Sequence, residues 1–227
     1  IAEDTSGDGW SWTQSTKTLT LTGLTLTVSD DSTHALILPD GATIDLADGT
    51  TSTLTGGSRS TVYSSGEVKL CGSGSLTVSG RGWRSATLDM FIPGTLTVEY
   101  DDPNGGAVLK TDEGTEGAAI CANVTLDNGI LRATGPDFAS ADDGSSVGLR
   151  GRLTTHGSSV EAQLTARTGY ASYGLYFDKQ GSGRGDTWTM GLGKVTAAAG
   201  HALSRYSYGL YVDYSSVNAL ELDGTQL

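Results

Sequence analysis

The sequence predicts an all-β chain wound as a right-handed, single-stranded parallel β-helix, a solenoid of about seven three-strand rungs. Three observations carry this reading. Short stretches alternate apolar and polar side chains with period two, the pattern of a strand with one buried face. Each stretch is too short to be a helix. The stretches recur in sets of three, each set occupying about 20 to 35 residues, the length of one solenoid coil.

Residues 118–135, AAICANVTLDNGILRATG, show the unit most clearly. They read as strands at 119–122, 124–126 and 130–133, broken at Asn123 and at Asp127-Asn128-Gly129. Alternation sends Ile120, Ala122, Val124, Leu126, Leu131 and Ala133 inward. One such triplet cannot bury its inner face alone, so copies must stack. Copies occupy 35–57, 61–80, 86–100, 147–164, 173–200 and 208–227. With the third strand's apolar anchor as marker, Leu54, Leu76, Leu96, Leu131, Val160 and Val195 are taken as equivalent, and Leu70, Leu175 and Leu210 join the inward set. Right-handedness follows from the bias of crossovers between parallel strands.

The chain reads as one domain, 1–227. Residues 1–17 are rich in Gly, Asp and Ser and carry Trp10 and Trp12 on one side of a short extended piece, which suits a cap over the open end of the core; residues 18–227 hold the rungs. Pro39-Asp40-Gly41 is a turn, Pro setting φ and Gly accepting a positive φ, with Ser65-Gly66 and Pro93-Gly94 expected at the same corner. The last rung stops after LELDG, short of a full third strand. The chain is therefore expected to be a fragment of a longer surface protein or a subunit that associates end to end.

Composition narrows the function. Lys plus Arg number 14 against 26 Asp plus Glu, a formal charge of −12 and a pI near 4.4. Such a surface repels phosphate backbones and anionic lipid, so nucleic-acid partners are disfavoured. No apolar run approaches the roughly 20 residues of a membrane helix, so no membrane insertion is expected, and the opening residues carry no leader pattern. Acidity, Thr-rich strands and only five Lys suit a secreted or wall-attached protein.

The strings WSWTQSTKTLTLTG and ALILPDGATIDL resemble the opening of β-helix repeats in large surface proteins of Gram-positive gut bacteria, of the carbohydrate-binding or adhesin type. The motif resemblance covers about the first third of the chain. In architecture the whole is similar to the pectate-lyase-like β-helix superfamily, which includes pectinolytic enzymes and non-catalytic adhesins. The resemblance implies an extracellular or cell-wall-attached module binding a glycan or a host or cell-surface ligand.

A β-helix hydrolase or lyase would cluster Asp residues on adjacent rungs beside a Gly-His-Gly-like turn. Here the acidic pairs sit in turns, and His34, His156 and His201 look like isolated loop or corner residues, so no catalysis is expected. Calcium suits the carboxylates better. Asp101, Asp102 and Asn104 lie in the loop one rung before Asp137, Asp142 and Asp143, where equivalent corners bring oxygen ligands together, and solvated acidic turns are the alternative. Cys71 and Cys121 fall two rungs apart on different faces, too far for a disulfide, and are expected to be largely buried thiols. Thr-x-Thr runs invite an ice-binding reading, but the corresponding outward places are taken to include Asp45, Lys69, Glu99, Arg132 and Glu161, so a Thr array is expected to fail by the third or fourth rung.

The strongest internal match is GLYFD, 174–178, against GLYVD, 209–213. If Leu175, Phe177, Leu210 and Val212 point inward, Tyr176 and Tyr211 stand outward in one column and Asp178 and Asp213 in a second. Arg150 extends the first column and Arg152 the second. Tyr170, Tyr173, Tyr206 and Tyr208 flank the strip. Rings for stacking, with Asp and Arg for bidentate hydrogen bonds, suit a sugar, and a structural ladder of stacked Tyr is the competing account. The function expected is a non-catalytic extracellular adhesion or glycan-binding module. A polysaccharide-active enzyme and a structural stalk or stacking filament subunit are the alternatives.

Overall fold

The computed structural model describes residues 3–29, 33–57, 59–100, 116–138, 144–156, 159–177, 187–190, 193–212, 219–222 and 225–226. Among these there is no helix, and the strands join into one large, mostly parallel sheet of 19 strands and a separate pair.

The chain opens with β1 (Thr5–Gly7), β2 (Trp10–Thr13) and β3 (Thr18–Leu21), paired antiparallel, followed by β4 (Thr25–Thr27). Triplets follow: β5 (Leu36–Leu38), β6 (Ala42–Leu46) and β7 (Thr51–Thr55), then β8 (Val62–Ser64), β9 (Glu67–Gly72) and β10 (Ser75–Gly80). β11 (Trp83–Tyr100) and β12 (Glu116–Thr134) each run through a whole triplet without a formal break. Next come β13 (Ser145–Arg150), β14 (Leu153–Thr155) and β15 (Val160–Thr165), then β16 (Ser172–Phe177), β17 (Thr187–Met190) and β18 (Gly193–Ala198), and last β19 (Ser207–Val212), β20 (Ala219–Leu222) and β21 (Thr225–Gln226).

Pairing follows the triplets. First strands pair in parallel from β5 through β8, β11, β12, β13 and β16 to β19. Second strands pair from β3 through β6, β9, β11 and β12 to β14. Third strands pair from β4 through β7, β10, β11, β12, β15 and β18 to β21. β17 and β20 pair with each other, so the second ladder as described ends at β14. In β11 the register shifts between Arg84 and Thr87, between Met90 and Phe91 and between Phe91 and Thr95, dividing the continuous strand into the segments that pair with β8, β9 and β10.

Alternation fills the interior. Leu36, Val62, Trp83, Ile120, Leu149, Leu175 and Leu210 occupy one register position of the first ladder. Leu19, Ile44, Leu70, Met90 and Leu126 do so in the second. Except for the half-buried Leu36 and Leu210, all are buried and belong to one hydrophobic cluster. Each fully buried aliphatic side chain contributes roughly 1.5–3 kcal/mol. At the antiparallel end Trp12 is buried in this cluster, its indole N–H donating to Gln14 Oε1 at 2.9 Å, and Trp10 packs against it half-buried.

The third-ladder register differs from the sequence reading at two anchors. Leu76 pairs with Ser52 and Leu54 with Val78, and Leu131 pairs with Ala162 while Val160 faces Gly129. The row containing Leu76 is therefore Ser52, Leu76, Leu96, Leu131, Ala162 and Val195. A two-residue slip keeps every side chain on its proper face, so alternation cannot detect it. Pro39-Asp40-Gly41 is the expected turn, with Ala42 N donating to Pro39 O at 3.2 Å and Gly41 at φ 73°. Pro93-Gly94 lies at the other corner, between the β11 segments that pair with β9 and with β10.

Asp45 pairs with Thr20, and Lys69 pairs with Thr43, itself the partner of Thr18, so the Thr18-Leu19-Thr20 run is interrupted in the second ladder as the sequence predicts. On the third ladder Thr25, Thr53, Thr77 and Thr97 are consecutive before Arg132 interrupts. Beside them run Thr27, Thr55 and Ser79, with Thr55 and Ser79 hydroxyls 3.0 Å apart, and then Glu99. Cys71 and Cys121 are not joined in a disulfide, as expected, and both are half-buried where largely buried thiols were expected.

Candidate functional site

The outward face of the first ladder gathers the aromatic residues, and glycine explains how. In β16 the burial pattern breaks strict alternation: Tyr173 and Tyr176 face outward, with Gly174 and Leu175 between them both buried. A Cβ on Gly174 would lie 2.7 Å from Ala198 N and 2.8 Å from Gly209 O. One on Gly148 would lie 2.6 Å from Gly174 O, and one on Gly209 2.4 Å from Ala197 O. The three glycines form a row where first-strand backbone presses on third-strand backbone, closer than any side chain allows. The irregularity there leaves Tyr173 paired with Val147 and Tyr208, and Tyr176 with Arg150 and Tyr211.

Four rings thereby make a two-by-two block. Along the ladder Tyr176 and Tyr211 have centroids 5.2 Å apart and planes 18° apart, and Tyr173 and Tyr208 lie 6.2 Å and 12° apart. Along the strand Tyr173 and Tyr176 are 4.8 Å apart, Tyr208 and Tyr211 5.7 Å. Tyr206 extends the block at 5.8 Å from Tyr208 and is 57% exposed. Arg150 places its guanidinium 5.8 Å from the Tyr176 centroid on the side away from Tyr211 in ladder order. Tyr170 receives the Arg205 guanidinium 5.1 Å from its own centroid, and Arg205 Nε donates to its hydroxyl.

This geometry alters the recognition chemistry. Tyr176 shares its two faces with Arg150 and Tyr211, so much of its ring face is engaged within the ladder. Hydroxyls, ring edges and the guanidinium are what such an arrangement offers a ligand, together with the faces of rings at the rim such as Tyr206.

Of the residues nominated from sequence, Arg150, Tyr176 and Tyr211 fall in one register row. Arg152 stands apart from that row. It follows Gly151, whose φ is 135°, at the corner after β13; its backbone N donates to Asn123 Oδ1 at 3.1 Å, and its guanidinium lies 5.7 Å from the centroid of the buried Phe177. Asp178 and Asp213 lie outside the described residues, as do the calcium candidates Asp101, Asp102, Asn104, Asp142 and Asp143. No group of three or more His, Cys, Asp or Glu able to hold a metal occurs among the described residues.

Sequence reasoning placed Tyr173 and Tyr208 beside the strip, and the structure makes them half of the block. The signal was present: Tyr-Gly-Leu-Tyr occurs twice, and a glycine at the same point of each copy marks a place where alternation is interrupted. Two histidines are also less isolated than expected. His34 stacks on Tyr63 at 4.8 Å and its Nδ1 lies 2.6 Å from Ser60 O, while His156 Nδ1 lies 2.6 Å from Asp127 Oδ1.

Comparison with known proteins found no matching family model, no matching curated protein and no matching solved structure.

Proposed function

We propose that the chain is an extracellular adhesion or glycan-binding module without catalytic activity, built as a right-handed parallel β-helix whose first-strand face is the recognition surface. The parallel ladders of short strands support the solenoid reading, since a repeating triplet with three in-register ladders is what such a coil requires. The observation that carries the binding reading is the block of Tyr173, Tyr176, Tyr208 and Tyr211 with Arg150 beside it. Aromatic rings with hydrogen-bonding tips, grouped on a sheet face that needs no such residues for burial, fit a hydroxyl-rich ligand.

A stalk function has one observation in its favour: the Tyr176–Tyr211 stack is a contact within the ladder and contributes about 0.5–1.5 kcal/mol without any ligand. The double variant Tyr176→Ala/Tyr211→Ala separates the readings. On a glycan array, a folded double variant that loses the wild-type signal supports recognition. Retained binding by that folded protein removes the block as the recognition surface, and lowered thermal stability with no wild-type glycan signal favours the stalk.

A further inference from the structure

The tyrosine block is the end of a longer row. Strand pairing puts Ile37, Tyr63, Arg84, Cys121, Arg150, Tyr176 and Tyr211 at one register position across the first ladder. None of them is an acid, although acids outnumber bases 26 to 14 in the chain. Elsewhere acids do occupy outward rows: Asp45 and Asp89 in the second ladder, Glu99 and Glu161 in the third. Beyond the exposed Ile37 the row has aromatic groups on either side of its two cations, His34 stacked on Tyr63 on one side and the tyrosine block on the other.

We propose that this row binds a linear anionic glycan running across the strands, with Arg84 and Arg150 as its carboxylate- or sulfate-binding pair; the proposal rests on the glycan-binding reading and specifies its ligand. Arg84 and Arg150 are separated by Cys121 alone, two strand spacings or about 9.6 Å. That is close to the length of a disaccharide, so a polymer with one acidic group per disaccharide presents charges in step with the pair. Guanidinium suits the task because its planar fork matches carboxylate geometry bidentately and its face is compatible with a neighbouring ring, as where Arg150 lies over Tyr176.

Charge density separates this ligand from nucleic acid. A nucleic-acid strand carries a phosphate about every 3.4 Å, nearly three for each interval between the arginines, against a chain of net charge −12. A sparsely charged glycan meets far less of that repulsion, which is screened beyond a Debye length of about 8 Å at physiological salt.

The experiment uses the full chain and measures retention on immobilised hyaluronan, which has one carboxylate per disaccharide, with dextran as neutral probe and oligothymidylate as the dense polyanion. Wild type is expected to bind hyaluronan over both, with affinity that falls as salt rises. Arg84→Gln, three strands from Tyr176, should weaken binding about tenfold, the value of one charge-assisted contact. Lys69→Gln removes the same charge from the second ladder and should leave binding unchanged. Should Arg84→Gln not fold, Arg150→Gln and the wild-type salt dependence replace it. Dextran binding equal to hyaluronan binding, indifferent to Arg84→Gln, overturns the anionic ligand and leaves the glycan reading intact. Preference for oligothymidylate overturns the ligand class. Failure to hold any glycan, on these probes and on the array, overturns both.

Discussion

Leu131→Ala tests the stacking of the interior most directly. Leu131 is fully buried in β12, between Leu96 of β11 and Ala162 of β15, with Ala133 two residues along the same strand. Two of these neighbours are alanines, whose methyl groups cannot reorient to fill the space, so the cavity should persist. Buried Leu→Ala changes cost about 2.7–5.0 kcal/mol, increasing with residual cavity volume, and this site belongs in the upper half of that range. With a urea dependence of about 2–3 kcal/mol/M, the unfolding midpoint by circular dichroism should fall by about 1.3–2.5 M. The outward neighbour gives the control. Arg132 donates from Nε to Gln163 Oε1 at 3.3 Å, and Arg132→Ala should change stability by no more than about 0.5–1 kcal/mol. An Arg132→Ala cost equal to that of Leu131→Ala would falsify the inward and outward assignment, and so the register of the third ladder.

Three other outcomes are expected. Gly72→Ala should cost about 3 kcal/mol or more, because its Cβ would sit 2.1 Å from Leu46 O at a φ of 97°, whereas Gly49→Ala, at φ 68° with open space, should cost about 1 kcal/mol; equal thermal shifts for the two would count against the close approach of β6 and β9. Burial and the Asp45 carboxylate push the Cys71 thiol above its ordinary 9.0, so Asp45→Asn should speed its alkylation near pH 9, and an unchanged rate by mass spectrometry would break the link. The same shift makes the folded state hold the proton longer than the unfolded chain. Its stabilising contribution is full below the unfolded thiol value and is lost as pH rises through the folded one, so Cys71→Ala should flatten the alkaline limb of a stability profile, and an unaltered limb would assign that limb to other groups.

Periodicity made the faces legible and left the register open. Ile120, Val124, Leu126, Leu131 and Leu175 are buried as alternation requires. Leu54 and Val160 were matched to the wrong partners because Ser52 and Ala162, which hold the anchor places, are small and do not announce themselves as core. Pro93-Gly94 was assigned to the wrong corner because both corners use small, turn-forming residues. At the candidate site, Arg150, Tyr176 and Tyr211 could be aligned by counting, but the inclusion of Tyr173 and Tyr208 depends on backbone contacts at Gly148, Gly174 and Gly209, which the sequence signals only through the glycine of the repeated Tyr-Gly-Leu-Tyr and not through alternation. The alignment of Tyr63 and Arg84 with this row depended on pairings across loops of unequal length.

The parallel ladders also fix how the molecule carries mechanical load. Tension applied along the strands meets many interstrand hydrogen bonds in shear, all resisting together. Tension applied across them, in the direction in which Tyr176 follows Arg150 and Tyr211 follows Tyr176, pulls each bond nearly along its own axis, and the ladders open like a zip, one triplet at a time. Optical-tweezer traces from handles at the two ends of the ladders should therefore show a series of low-force steps, and a single high-force rupture would mean that the triplets are clamped by something other than their neighbours. Under such a load the stack yields gradually and takes up slack.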